Sequence, residues 1–200
     1  MNERQMEEIL ARKYTAKLAR KGIIEEKSRR LYEYGFELLI SSVISIMVTI
    51  VIGIVLHAGV FSIGYLAGLI PIRIYAGGYH AKTHRGCYII FGLIFGTTVL
   101  ISKVLPYRPS MIICLYICLF TVLYKYAPLE AKNKPLTVEQ YKKYRAKVFE
   151  FLFISIAVDV VCYFLRNCFF MGIMWGKAGV ILLILIQVAC DVLANMNINK

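Results

Sequence analysis

Six apolar runs, separated by short polar or basic connectors, limit what this chain can fold into. The first, Leu38–Leu56, has nineteen residues, enough to cross a hydrocarbon core of about 30 Å. The others are Val60–Ile74, Cys87–Ile101, Met111–Leu123, Val148–Leu165 and Ala178–Leu193. With 59% hydrophobic residues and a mean hydropathy of +0.65, the chain is too apolar for an ordinary soluble domain. The pattern predicts an all-α, polytopic integral membrane protein with six transmembrane helices.

The first 36 residues are charged and contain no long apolar run, unlike the rest of the chain. Apolar residues recur there at every fourth position, at Met6, Leu10, Tyr14 and Leu18. This spacing predicts one apolar face of an amphipathic helix, which Gly22 is expected to end. We expect the segment to lie on the cytoplasmic surface of an anionic membrane. A helix packed against other cytoplasmic parts of the protein is the alternative.

Lysine and arginine residues give the chain a net charge of +12 and predict its orientation. If the N-terminus is cytoplasmic and all six runs cross the membrane, 20 of the 24 basic residues lie on inner segments. The other four lie on outer turns, at Lys103, Arg108, Arg166 and Lys177, and residues 166–177 form one such turn. Cytoplasmic loops are enriched in basic residues. We therefore expect both termini, and the loop between the second and third runs, on the cytoplasmic side of a bacterial cell membrane. The basic residues form no aromatic-laced patch, so lipid rather than nucleic acid is the expected partner.

The loop between the second and third runs holds the residues best suited to chemistry. His80, His84 and Cys87 lie there within eight residues, and a cysteine beside a histidine supplies a thiol nucleophile and its base. Cys87 opens an apolar helix, so the positive end of the helix dipole is expected close to it. Positive charge near the thiol favours the thiolate, which is the attacking species.

Either histidine could serve as the base. In one continuous helix His84 would share a face with Cys87, three residues later, whereas His80 would lie about 10 Å along the axis. Glycines within the stretch, at Gly77, Gly78 and Gly86, predict a bend instead of one rod. A bend could fold His80 back against Cys87. The same three side chains could also bind zinc, but the HExxH pattern of zinc peptidases is absent and no metal or cofactor is expected.

Asp159 lies inside the fifth apolar run. Carboxylates within membrane helices often mark ion or substrate paths, so a multi-pass peptide or solute transporter without proteolytic chemistry is the alternative function. Asp159 could also orient His80. Its structural alternatives are to pair with a lysine or arginine, or to lie protonated at a helix contact.

Two motifs resemble the accessory gene regulator B (AgrB) family of membrane cysteine endopeptidases in Gram-positive quorum sensing. The first comprises Arg73, the Gly77-Gly78 pair, His80 and Cys87. The second is the stretch from Ala127 to Leu136, which is similar to the AP…NKPL loop of that family. The resemblance covers essentially the whole chain, and so implies a single domain over 1–200, with an N-terminal segment at 1–36 and a helical bundle at 38–193.

The resemblance implies cleavage of a short AgrD-like precursor on the C-terminal side of the future pheromone. Cys87 would be the nucleophile, His80 the general base, and the acyl-enzyme a thioester. Attack on the thioester by an internal cysteine or serine of the peptide would close a thiolactone or lactone ring. Attack by a peptide thiol replaces one thioester with another, so little energy is needed provided that water is excluded.

The resemblance also implies roles outside the catalytic pair. Arg73 would bind a substrate carboxylate or support the oxyanion, or else anchor a helix end as a topogenic charge. Gly78 would meet a backbone requirement, and His84 would pack or contact substrate. Lys132 and Lys134, in the basic connector at 128–147, would bind an acidic peptide tail or serve as topogenic charges. A homodimer is the expected assembly.

Overall fold

The computed structural model describes residues 6–79, 83–105, 108–130, 136–165 and 167–198, with only the backbone described for a few of them. Within these ranges the chain forms seven α-helices and no β-strand, so the all-α prediction is confirmed. The helices are α1 (Met6–Arg20), α2 (Arg29–Val55), α3 (Gly59–Ala76), α4 (His84–Val104), α5 (Pro109–Tyr126), α6 (Val138–Leu165) and α7 (Cys168–Ile198). A short 3₁₀ turn, Glu26–Ser28, precedes α2.

Several helices are long and apolar enough to cross a membrane. Four spans meet both conditions among the described residues, at Glu26–Val55, Gly59–Ala76, Arg85–Val104 and Cys168–Ala194. Helix α5 is apolar but shorter, over Ser110–Tyr126. The structure therefore supports a membrane protein, and six crossings stay a prediction.

The predicted outer turn at 166–177 is wrong. Helix α7 begins at Cys168, because the side chain of Asn167 caps it by accepting a hydrogen bond from the backbone N–H of Phe169 at 3.1 Å. Lys177 consequently lies inside a helix of 31 residues and is fully buried. It cannot count as an outer-turn charge.

Helix α6 also begins earlier than the hydropathy indicated, at Val138 instead of Val148. Thr137 and Gln140 form a capping box: the Thr137 hydroxyl accepts the Gln140 N–H at 3.2 Å, and the Gln140 side chain accepts the Thr137 N–H at 3.1 Å. The second half of the basic connector is therefore the first turns of a helix.

The structure divides into two compact units, and the first comprises α1, most of α2 and the start of α4. Gly22, at φ +68°, ends the first helix as predicted, and the N–H of Ile23 bonds the carbonyl of Leu18 at 3.1 Å. Helix α1 buries the face that carries Glu7, Ala11 and Thr15. The predicted apolar stripe lies elsewhere on the helix and stays largely exposed, at Met6, Leu10 and Tyr14.

The second unit comprises the end of α2, α3, the rest of α4 and helices α5 to α7. Its centre is a close contact between α3 and α7, where glycines of each helix face the backbone of the other. A Cβ atom on Gly68 would collide with the carbonyl of Ile173, and one on Gly176 with the carbonyl of Tyr65. Small residues at such positions let two membrane helices approach closely.

Contacts within the second unit also fix the direction of its helices. Gly64 faces Phe169 and Gly68 faces Ile173, so α3 and α7 run in the same direction. The segment after α5 returns to the end of α3, where the N–H of Leu129 donates to the carbonyl of Ala76 at 2.9 Å. Tyr75, near the end of α3, packs against Tyr144 in the first half of α6, with ring centroids 5.8 Å apart. Helices α3 and α5 thus end, and α6 starts, at the same end of this unit.

Candidate active site

Cys87 lies in the first turn of α4, as the sequence predicted. Thr83 caps this turn: its hydroxyl accepts the N–H of Gly86 at 3.2 Å, and its carbonyl accepts the N–H of Cys87 at 3.2 Å. The side chain of Cys87 is buried, with 9% of the residue exposed.

Tyr88 connects the start of α4 to α1, a contact that the sequence analysis missed. Its hydroxyl donates a hydrogen bond to Oε1 of Glu7 at 2.5 Å. Glu7 is a buried carboxylate on the packed face of α1. The two residues are 81 positions apart, so no local pattern could have indicated the pair. Helix α1 is therefore fastened to α4 at the residue that follows Cys87.

The chain between α3 and α4 bends, as its glycines predicted. Helix α3 ends at Ala76, and Gly77 and Gly78 have φ angles of +75° and +146°. A Cβ atom on Gly77 would lie 2.8 Å from the carbonyl oxygen of Leu129, so a side chain there would be strained and crowded. The glycine pair thus meets a backbone requirement, which is the role expected of Gly78.

Arg73 extends from the last turn of α3 to this loop. Its Nη2 atom donates a hydrogen bond to the carbonyl of Tyr79 at 3.2 Å. The N–H of Tyr79 in turn donates to the carbonyl of Leu183 in α7 at 3.1 Å. Arg73 and α7 therefore both hold the backbone of the residue that precedes His80.

The remaining predicted site residues are described little or not at all. His80, Lys132 and Lys134 lie outside the described residues, and only the backbone of His84 is described. Their roles stay predictions, as does the choice of base. Among the His, Cys, Asp and Glu residues that are described, no group of three or more could hold a metal ion.

Comparison with known proteins places the chain in one family. The family described as Accessory gene regulator B matches residues 11–189. The chain belongs to the AgrB family.

Two curated relatives support the AgrB assignment. The chain is 25% identical over 126 residues to a "Putative AgrB-like protein 2" of Clostridium perfringens strain 13. It is 27% identical over 126 residues to a "Putative AgrB-like protein" of C. perfringens strain SM101. Each match covers 60% of this chain and 59% of the relative, which is less than two thirds of the relative's length. No solved structure matches the chain.

The carboxylate of Asp159, in α6, is paired. Oδ2 of Asp159 lies 2.6 Å from Nζ of Lys177 and accepts a hydrogen bond from the Tyr116 hydroxyl at 3.0 Å. Nζ of Lys177 also donates to the Tyr116 hydroxyl at 2.8 Å. Both charged side chains are almost fully buried. Among the roles predicted for Asp159, the one observed in the structure is the ion pair with a lysine.

An apolar cavity of about 600 Å³ lies between α5 and α6, beside this ion pair. Its walls are formed mainly by aliphatic and aromatic side chains, among them Ile113, Phe120 and Val160, while Tyr116 and Asp159 contribute polar atoms. The contacts between α5 and α6 include the polar cluster, the aromatic pair of Phe120 and Phe149 at 5.8 Å between centroids, and Arg145 over the ring of Tyr124.

Proposed function

We propose that this protein is a membrane-embedded cysteine endopeptidase that cleaves an AgrD-like precursor, with Cys87 as nucleophile and His80 as general base. The observation that carries the proposal is the position of Cys87 in an AgrB-family chain: a buried thiol in the capped first turn of an apolar helix. Nucleophilic cysteines of other proteins also lie at helix N-termini.

The reaction has two acyl transfers. The base removes the thiol proton, the sulfur of Cys87 attacks the scissile carbonyl, and the C–N bond breaks as the imidazolium returns its proton to the leaving amine. The product is a thioester on Cys87 and a free C-terminal fragment. A cysteine or serine inside the peptide then attacks the thioester, which frees Cys87 and closes the ring.

Burial of the site supports ring closure over hydrolysis. A thioester in contact with water would hydrolyse, whereas a site that excludes water leaves the internal nucleophile of the peptide as the reactant. The low exposure of Cys87 fits this requirement. The acidic tail of a precursor would bind the basic connector that contains Lys132 and Lys134, on the cytoplasmic side, and two copies of the chain would act as a homodimer.

The test is precursor cleavage in vesicles that contain the full chain. We expect Cys87→Ala and His80→Ala to abolish cleavage, while His84→Ala retains most of it. Cys114→Ala is a matched control, because Cys114 is a free, exposed cysteine in α5 and plays no part in the proposal.

A thioester trapped with precursor on the wild-type protein, and absent from Cys87→Ala, would identify the nucleophile. Cleavage that survives Cys87→Ala would overturn the proposal. An inactive His84→Ala together with an active His80→Ala would transfer the role of base to His84.

A further inference from the structure

We propose that the buried cluster of Lys177, Asp159 and Tyr116 positions the active-site loop, Gly77–Tyr79, from a distance. The cluster does so by fixing the positions of α5 and α7 along their helix axes. The three are positioning residues and make no contact with substrate. The inference rests on the proposed function, because the loop it concerns, Gly77–Tyr79, leads directly into His80.

The cluster joins three helices through directional contacts. Lys177 of α7 bonds Asp159 of α6 and Tyr116 of α5 within 3.0 Å, and its Nζ atom also lies 3.4 Å from the carbonyl of Ser155. Taking each of two charges out of water is unfavourable, and only a well-matched partner offsets that cost. A slip of one helical turn, about 5.4 Å, would leave a buried charge uncompensated. The cluster therefore permits only one position of α7 along its axis relative to α5 and α6.

The axial position of α7 in turn determines the position of the loop. Leu183 follows Lys177 by six residues, about 9 Å along the helix, and its carbonyl accepts the N–H of Tyr79 at 3.1 Å. A Cβ atom on Gly78 would lie 3.5 Å from that of Leu183. A shift of α7 along its axis would therefore move the hydrogen-bond partner of the residue before His80.

Helix α5 connects the cluster to the loop by a second route. Tyr116 lies in its middle, and the segment after its end reaches the start of the loop. There Leu129 donates its N–H to Ala76 at 2.9 Å, and its carbonyl faces Gly77. Two separate chain segments thus hold the two ends of the loop, and the polar cluster sets the position of both.

The glycine contact between α3 and α7 cannot provide this registry alone. It fits α7 against α3, because side chains would collide with backbone if either helix slipped. It involves neither α5 nor α6, so the polar cluster is needed to fix the positions of those two helices. A buried polar group that specifies register among otherwise apolar helices is the best-attested use of such groups.

The experiment removes both charges at once. Because buried ion pairs can often be replaced by apolar residues of similar volume without loss of stability, Asp159→Leu/Lys177→Met is expected to fold, with unchanged helix content by circular dichroism. We expect its kcat for precursor cleavage to fall by about 10- to 100-fold with little change in KM, as for a misplaced catalytic group. Leu119→Met, a buried apolar change in α5, is the matched control and should retain full cleavage.

A cross-link reports the register without relying on cleavage. In a chain whose native cysteines are replaced by alanine, Gly78→Cys and Leu183→Cys would place two Cβ atoms within disulfide range, about 3.5–4.5 Å. We expect oxidation to join them efficiently when Lys177 and Asp159 are present, and several-fold less efficiently in the apolar double variant. Any strain at position 78 is the same in both backgrounds, so the difference reports the cluster.

The outcomes separate this inference from the proposed function. Equal cross-linking in the two backgrounds, or full cleavage by a folded double variant, would overturn the registry role. Cleavage that survives Cys87→Ala would overturn the peptidase and leave the cross-linking result intact. If the double variant does not fold, Tyr116→Phe removes only the bridging hydroxyl, and unchanged cleavage by that variant would overturn the inference.

Discussion

At the scale of single residues, the backbone conformation of Gly78 constrains which residue can stand at that position in the loop. Its φ of +146° is one that residues with a side chain rarely adopt. We expect Gly78→Ala to cost about 1–3 kcal/mol locally and to lower precursor cleavage at least tenfold, measured in vesicles. Gly35→Ala, at an α2 glycine where an added methyl group would meet open space, should be neutral. Equal activity of the two variants would contradict the argument.

Thr83 permits a test of the helix cap beside Cys87. Thr83→Ala removes the hydroxyl that accepts the Gly86 N–H, which should cost about 1 kcal/mol and fray the first turn of α4. We expect slower cleavage, and slower thioester formation in single-turnover measurements. Thr83→Ser keeps the hydroxyl and should retain wild-type rates, so a similar loss in both variants would argue against a role for the cap.

The hydrogen bond between Tyr88 and Glu7 allows a test of whether α4 holds α1 in position. Tyr88→Phe removes the hydroxyl donated to a buried carboxylate, and hydrogen bonds to charged groups contribute about 1.5–3 kcal/mol. We expect faster amide hydrogen exchange across α1 in this variant. Tyr14→Phe, at a largely exposed position on α1, is the control, and unchanged exchange in Tyr88→Phe would show that other contacts suffice.

At the scale of elements, the contact between α3 and α7 is the least tolerant of added volume. Gly68→Ala would drive a methyl group into the backbone of Ile173, and overpacking of this kind costs about 1–3 kcal/mol or more. We expect a lower thermal midpoint in detergent, measured by size-exclusion recovery after heating. Gly96→Ala, at an α4 position open to its surroundings, should match the wild type. Equal midpoints would mean that α3 and α7 separate at little cost.

Hydropathy located the helices better than it located their ends. Each of the six apolar runs corresponds to one helix from α2 to α7, because a long apolar segment has few other ways to satisfy its backbone in lipid. The starts of α6 and α7 were missed because Thr137, Gln140 and Asn167 act through specific hydrogen bonds that an apolarity scale does not register.

Contacts between distant residues explain what the sequence could not predict about the candidate site. The bend at Gly77 and the helical setting of Cys87 follow from local residue types, and both were expected. The pairing of Asp159 with Lys177 depends on how α6 and α7 pack, and the sequence alone left it as one option among four. Tyr88 and Glu7 meet only through tertiary packing.

At the scale of the whole molecule, the orientation proposal gains support from the contacts of the second unit. Helices α3 and α7 run in the same direction, which requires an odd number of crossings between them. The segment after α5 and the first half of α6 lie at the end of α3, which favours crossings by both helices. If α2 and α3 also cross, Gly77–Tyr79 would lie on the N-terminal side whether or not α5 and α6 cross.

Single cysteines can test this orientation in intact cells. With native cysteines replaced, Ser110→Cys at the start of α5 should react with a membrane-impermeant maleimide added outside, because it lies on the predicted outer side. Val138→Cys, an exposed position at the start of α6, should react only after the cells are opened. Labelling of both from outside would mean that α5 and α6 do not cross.

The shared end of α3 and α5 has an electrostatic consequence. Each helix presents unsatisfied carbonyl groups there, equivalent to about half a negative charge. Nη2 of Arg145 donates to the carbonyl of Tyr124 at 3.2 Å, and its Nη1 donates to that of Ala127 at 3.4 Å. Arg145, a basic residue of the connector, therefore neutralises the partial negative charge at the end of α5. This role requires no bound peptide and does not depend on how the chain is inserted into the membrane.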